Sequence, residues 1–115
     1  MLIPNAVSAI VDIRKLQSYV LDPTHGRGRH KARVFYAVFG LTFDDAEWLK
    51  EYLLNIALTH DVQVGEVSEF GQLYRIDSQM SFNGVTETVR STWIIRQEED
   101  YPRLVSCFVT PGRNK

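Results

Sequence analysis

A single cysteine, Cys107, occurs in 115 residues. That excludes an internal disulfide and a cysteine-rich zinc site, and it fits a reducing compartment. Long apolar runs are also missing. The longest, Val34 to Phe39, falls far short of the ~20 residues a membrane helix needs. The start, Met1-Leu2-Ile3-Pro4-Asn5, lacks the basic and apolar regions of a secretory signal, and Asp12 and Arg14 interrupt the residues after it. A soluble, cytoplasmic domain without a membrane partner is expected. Neither sign of charge dominates: 13 Lys and Arg stand against 14 Asp and Glu, a formal net charge of -1. No overall charge therefore advertises nucleic acid. No spacing of His, Cys or carboxylates repeats a known ligand pattern, so neither metal nor cofactor is expected.

What is present describes one globular unit. A chain of 115 residues has room for a single domain. Six phenylalanines, five tyrosines and two tryptophans suffice to fill its core. The first half reads as helical. Asp12 is placed to cap a short helix with Ile13, Leu16, Tyr19 and Val20 on its apolar face, ended by Leu21-Asp22-Pro23. A second helix is predicted from about His30 to Phe39, burying Ala32, Phe35 and Phe39, with Gly40 suited to a left-handed stop. The third, about Asp45 to His60, repeats Ala46, Leu49, Leu53, Ile56 and Ala57 at helical spacing, and Asp44 and Glu47 are spaced as its capping box.

Strands fill the second half: Val62 to Val67, weakened by Gly65, then Leu73 to Phe82, Val85 to Ile95 and Arg103 to Val109. Asn83-Gly84 between the middle pair is a type I′ hairpin signal. The expected fold is α+β, about three N-terminal helices packed on an antiparallel meander of three or four strands. Phe35, Leu49, Leu53, Ile56, Tyr74, Ile76 and Trp93 should share its core. Thr92, of opposite parity to Trp93, should look away from it.

Charge is segregated along the chain. No acid lies between Asp22 and Asp44, while His25 to Arg33 carries Arg27, Arg29, Lys31, Arg33 and two histidines. Acids gather at Asp44, Asp45, Glu47, Glu51, Asp61, Glu66 and Glu69. A loop containing Gly26 and Gly28 that feeds a helix start offers amides and a positive dipole end to an anion. Basic side chains there add to the pull on phosphate. The competing reading is a solvated basic helix face balanced by the acidic helix. His25, in the loop, is of the type that acts as general acid or base near neutral pH. His30 reads as a surface residue and His60 as a helix C-terminal one. Cys107, with no base beside it, reads as a core or sheet-face thiol. Ser91, Thr92 and Ser106 lack a nucleophile-elbow context.

Short segments in order along the chain resemble a known group. They are Ile3-Pro4-Asn5-Ala6, Lys15-Leu16, Tyr19-Val20-Leu21, Pro23-Thr24-His25, Gly28-Arg29-x-Lys31-Ala32-Arg33-x-Phe35 and Phe39-Gly40. Later come Phe70-Gly71-x-x-Tyr74, Thr92-Trp93-Ile94 and Pro102-Arg103-Leu104-Val105-Ser106. Together they resemble a small uncharacterised bacterial domain family, similar to the C-terminal tips of polymorphic and contact-dependent toxins. Those in turn resemble the barnase–EndoU–colicin–RelE superfamily of metal-independent ribonucleases. The resemblance spans almost the whole chain, read as a single toxin-like domain over 1–115.

That resemblance implies RNA cleavage by the RNA's own 2′-hydroxyl, leaving a 2′,3′-cyclic phosphate. It assigns catalytic roles to His25, Lys31 and Thr92. Phosphate or substrate contacts fall to Arg29, Arg33 and Arg103, and to Tyr74, which either borders the cleft or joins the core. Where the family toxins often show His-Pro-x-Gly, this chain has His25-Gly26-Arg27-Gly28, a looser loop. The implied partners are an RNA substrate and a small acidic immunity or antitoxin protein. Two rivals stand beside this reading: a module that binds RNA or protein without cutting, and a structural domain that oligomerises through a sheet edge.

Overall fold

The computed structural model describes residues 1–22, 24, 26 and 29–110. His25 and Arg27 lie outside the described residues, as does the side chain of Tyr19. Asp12 opens the first helix as its spacing predicts, its carboxylate accepting from the Arg14 amide at 2.9 Å. The helix α1 (Ile13–Lys15) widens at once into a π-helical segment (Leu16–Val20) that buries Leu16 and Val20. Then α2 (Arg29–Phe39) buries Ala32, Phe35 and Phe39, and Gly40 leaves it at φ 73°. The helix α3 (Ala46–Thr59) buries the five residues its periodicity marked.

The predicted Asp44–Glu47 capping box is not the one that forms. Thr42 and Asp45 make it instead, the Thr42 amide donating to the Asp45 carboxylate at 2.9 Å. A 3-10 turn (Phe43–Asp45) precedes α3, so the chain begins to coil earlier than the α-helical spacing suggests.

The strands β1 (Gln63–Ser68), β2 (Gly71–Phe82), β3 (Val85–Arg96) and β4 (Arg103–Val109) form one antiparallel meander in that order. Asn83 and Gly84 turn β2 into β3 with φ of 53° and 77°. The Asn83 amide also donates to the Phe39 carbonyl at 2.8 Å, tying the hairpin tip to the end of α2. One sheet face carries Tyr74, Ile76, Met80, Val89, Trp93, Leu104 and Cys107 into the core with the helices. Trp93 is completely buried, and its indole N–H donates to Ser91 Oγ at 2.9 Å. Each large aliphatic side chain so buried contributes about 1.5–3 kcal/mol.

The two sheet edges differ. Beside β4, the Ile10 backbone exchanges bonds with Pro102 and Leu104, and α2 packs against the same strand. Every residue of β1 is exposed, and a bulge between Val64 and Val67 breaks its ladder, which blunts an open edge. Among the described residues, no helix is long and apolar enough to cross a membrane.

Candidate nucleotide-facing site

The rows of the sheet face opposite the core can be read from the strand registers. Gln63, Arg75, Thr92 and Ser106 stand in one row across all four strands. Thr92 is half-buried between fully buried Ser91 and Trp93, so it points to the open face as its parity predicts. Ser106 faces the same way because the register slips by one residue between Thr92 and Trp93. Trp93 pairs with Leu104, yet Thr92 pairs with Ser106, and the extra residue Val105 makes the bulge. Without the slip, Val105 would stand opposite Thr92.

Lys31 completes the row from the β4 side. Its ammonium donates to Ser106 Oγ at 2.8 Å and lies 5.4 Å from the centre of the Phe108 ring. Directly opposed residues hold their Cβ atoms about 5 Å apart, so Thr92 is the row neighbour of the Ser106 that Lys31 bonds. On the other side of Thr92 stands Arg75. One of its Nη groups donates to Gln63, and its solvent-shielded Nε has no hydrogen-bond partner among the described residues. A shielded donor without a partner costs about 1–3 kcal/mol, a cost that a bound acceptor would remove.

The neighbouring rows bound this site. On one side, Arg90 forks onto Asp77 at 2.8 and 3.1 Å, which holds the guanidinium more firmly protonated. On the other side lies a cavity of about 480 Å³ floored by Leu73 and Ile94. Arg103 lines it but is gripped by Glu99 at 2.8 and 2.9 Å and by the Tyr101 hydroxyl at 3.1 Å. The Arg103 bonds hold the Glu99 carboxyl below the usual carboxylate range. Behind the row, burial pushes the Cys107 thiol up to about 12, with Lys31 opposing weakly. It is a core thiol, as expected.

The residues predicted for the site divide. Lys31 and Thr92 come together on one face. His25, the third of that set, lies outside the described residues. Arg29 is exposed and donates to the Gly26 carbonyl at 2.8 Å. Arg33, two residues after Lys31 and so about 200° around the helix, lines a separate apolar groove with Tyr36 and Phe43. Tyr74 joins the core and faces away from Thr92. Ser106 and Arg75 are the additions. Arg75 shares the parity of Asp77 along β2, a signal available in the sequence, whereas Ser106 depends on the β4 bulge.

Fold and site together define a small α+β domain whose sheet carries an arginine, a threonine and a serine in one row, with a lysine of α2 bonded to the serine. A family model described as a domain of unknown function (DUF6883) matches residues 2–111, and the chain belongs to that family. No curated protein matches it in sequence. Among solved structures it is similar to a chain of a contact-dependent growth inhibition toxin–immunity protein complex from Klebsiella pneumoniae 342. The TM-score is 0.67 at 15% identity, covering 93% of this chain and 97% of that one. The likeness is one of fold.

Proposed function

We propose that the domain is a toxin-type endoribonuclease that needs no metal and cleaves RNA through its 2′-hydroxyl. The observation that carries this reading is the row Arg75–Thr92–Ser106, with Lys31 anchored at its end. It offers two cations and two hydroxyls to a single phosphate. Lys31 and Arg75 would stabilise the charge that builds on the phosphoryl oxygens, and Thr92 would hydrogen-bond one of them. A base takes the 2′-hydroxyl proton, the freed oxygen attacks the adjacent phosphorus, and an acid protonates the departing 5′-oxygen. His25 is assigned proton transfer through the family resemblance alone. The likeness to a chain from a toxin–immunity complex supports a toxin-related role, in which an acidic protein would inhibit by covering this face.

A second reading, a module that holds RNA or a protein without cutting, draws on the net charge of -1. The two part in one assay. Purified protein is incubated with total RNA in chelator, beside Lys31→Met and His25→Ala. Cleavage to cyclic-phosphate ends by the wild type alone supports the nuclease. Intact RNA, or cleavage that both variants retain, overturns it.

A further inference from the structure

The cavity beside Thr92 has a different chemistry from the phosphate row. Leu73 and Ile94 form an apolar floor, and Phe70, 68% exposed at the β1–β2 turn, stands over one side. Among the described residues Lys15, Arg96 and Arg103 line it together with one carboxylate, Asp12, which Arg14 holds at 3.0 Å. Lys15 donates to the Val105 carbonyl at 3.1 Å, while the nearby Asp12 carboxylate is bonded by Arg14. The half-exposed Arg96 comes no nearer than 3.9 Å to Glu99, whose oxygens Arg103 already holds. At about 480 Å³ the space lies within the range of small-molecule sites.

Its position makes the combination informative. Ile94 lies two residues beyond Thr92 on the same strand and face, about 7 Å away. A group covalently joined to a phosphate at Thr92 is therefore within reach of this cavity. A flat apolar floor, an exposed ring and cationic walls suit a nucleobase and its sugar-phosphate, since bases stack on aromatic rings whatever their identity. An exposed guanidinium adds donors for a base edge.

We propose that this cavity is a nucleotide subsite, receiving the base that flanks the phosphate held at Thr92, with Phe70 stacking on it and Arg96 contacting its edge. The assignment rests on the ribonuclease reading for the identity of the substrate. Gly71 fixes the Phe70 turn: it stands at φ 143°, where a Cβ would overlap the Ile95 carbonyl, so the ring is presented by a backbone only glycine adopts.

The test measures binding apart from cleavage. The four nucleoside 3′-monophosphates and inorganic phosphate are titrated into the full chain and followed by amide chemical shifts. At least one nucleotide should bind ten-fold or more tightly than phosphate, shifting Leu73 and Ile94. Phe70→Ala, a change at an exposed ring, should weaken that nucleotide about 5- to 100-fold and leave phosphate unchanged. Lys31→Met should weaken both. Nucleotides binding no tighter than phosphate, or not at all, overturn the subsite, as does a Phe70→Ala protein of wild-type nucleotide affinity. Cleavage assays keep the two readings apart. Intact RNA with Phe70-dependent nucleotide binding removes the nuclease and keeps the subsite. Cleavage with a KM untouched by Phe70→Ala keeps the nuclease and removes the subsite.

Discussion

At Lys31 two requirements meet, because the side chain packs over Phe108 and also holds its charge against Ser106. Lys31→Met keeps much of the aliphatic stem and deletes the charge. Cleavage should fall about 10²–10³-fold, the usual loss when one preorganised charge-stabilising group is removed. Stability should fall by about 1–2 kcal/mol for the hydrogen bond to Ser106 and the cation–π contact with Phe108. A variant that folds and still cuts at the wild-type rate removes Lys31 from the chemistry. Cys107 gives an independent check on the core. Burial keeps its thiol protonated to about 12, against 9.0 for a free thiol. Between those values the unfolded chain has released a proton that the folded chain retains, so stability falls as pH rises through that window, by up to about 1.4 kcal/mol per unit. Urea melts from pH 8 to 11 should show this decline, and Cys107→Ala should make it shallower, leaving the share of Tyr52, whose hydroxyl is also pushed up by burial. An unchanged slope in the variant would place the titration elsewhere.

Single backbone positions decide how the strands present the site. Gly71→Ala places a Cβ against the Ile95 carbonyl at a φ that L-residues rarely adopt, so the β1–β2 turn must shift or β2 must part from β3. A loss of at least about 2–3 kcal/mol in chemical denaturation is expected. A near-neutral result would mean that the turn relaxes easily. Asn83→Ala should cost about 1–2 kcal/mol, through the left-handed turn it supports and the bond to Phe39 it makes. The elements themselves were legible in the sequence because helical and strand periods differ. Ala46 to Ala57 and Tyr74 to Phe82 each repeat with one period, and Asn83-Gly84 leaves one kind of turn. The site was legible only in part. Parity placed Thr92 on the open face, but Ser106 stands opposite it because of the slip at Val105, and a one-residue bulge carries no period to read. The family resemblance sets Arg33 beside Lys31 at one helix start, but two residues along α2 turn the side chains apart.

Across the whole molecule, a net charge of -1 and a proposed affinity for RNA are reconciled by where the charges face. On the open sheet face Asp77 answers Arg90 and Glu99 answers Arg103, while Arg75 and Arg96 flank the Thr92 row and the adjoining cavity. Glu47 and Glu51 ride on α3, behind the sheet, whereas Asp12 lines the cavity and Glu69 and Glu98 stand beside Phe70 and Arg96. RNA bound with a phosphate on the Thr92 row, where Arg75 and Lys31 stand, should feel a local positive field there despite the overall balance. Its affinity should fall with salt at a log–log slope of about -0.7 per phosphate neutralised, roughly -2 for three contacts on a single strand. The slope distinguishes this face from the alternatives. Arg96→Gln should make it shallower by about 0.7, since Arg96 lines the cavity next to Thr92. Arg33→Gln should leave it unchanged, since Arg33 lines the apolar groove with Tyr36 and Phe43. Measuring Kd for an oligonucleotide that cannot be cleaved, from 50 to about 300 mM salt, checks both variants against the wild type. If Arg33→Gln lowered the slope and Arg96→Gln did not, the RNA path would run over α2 and leave the open sheet face uncovered.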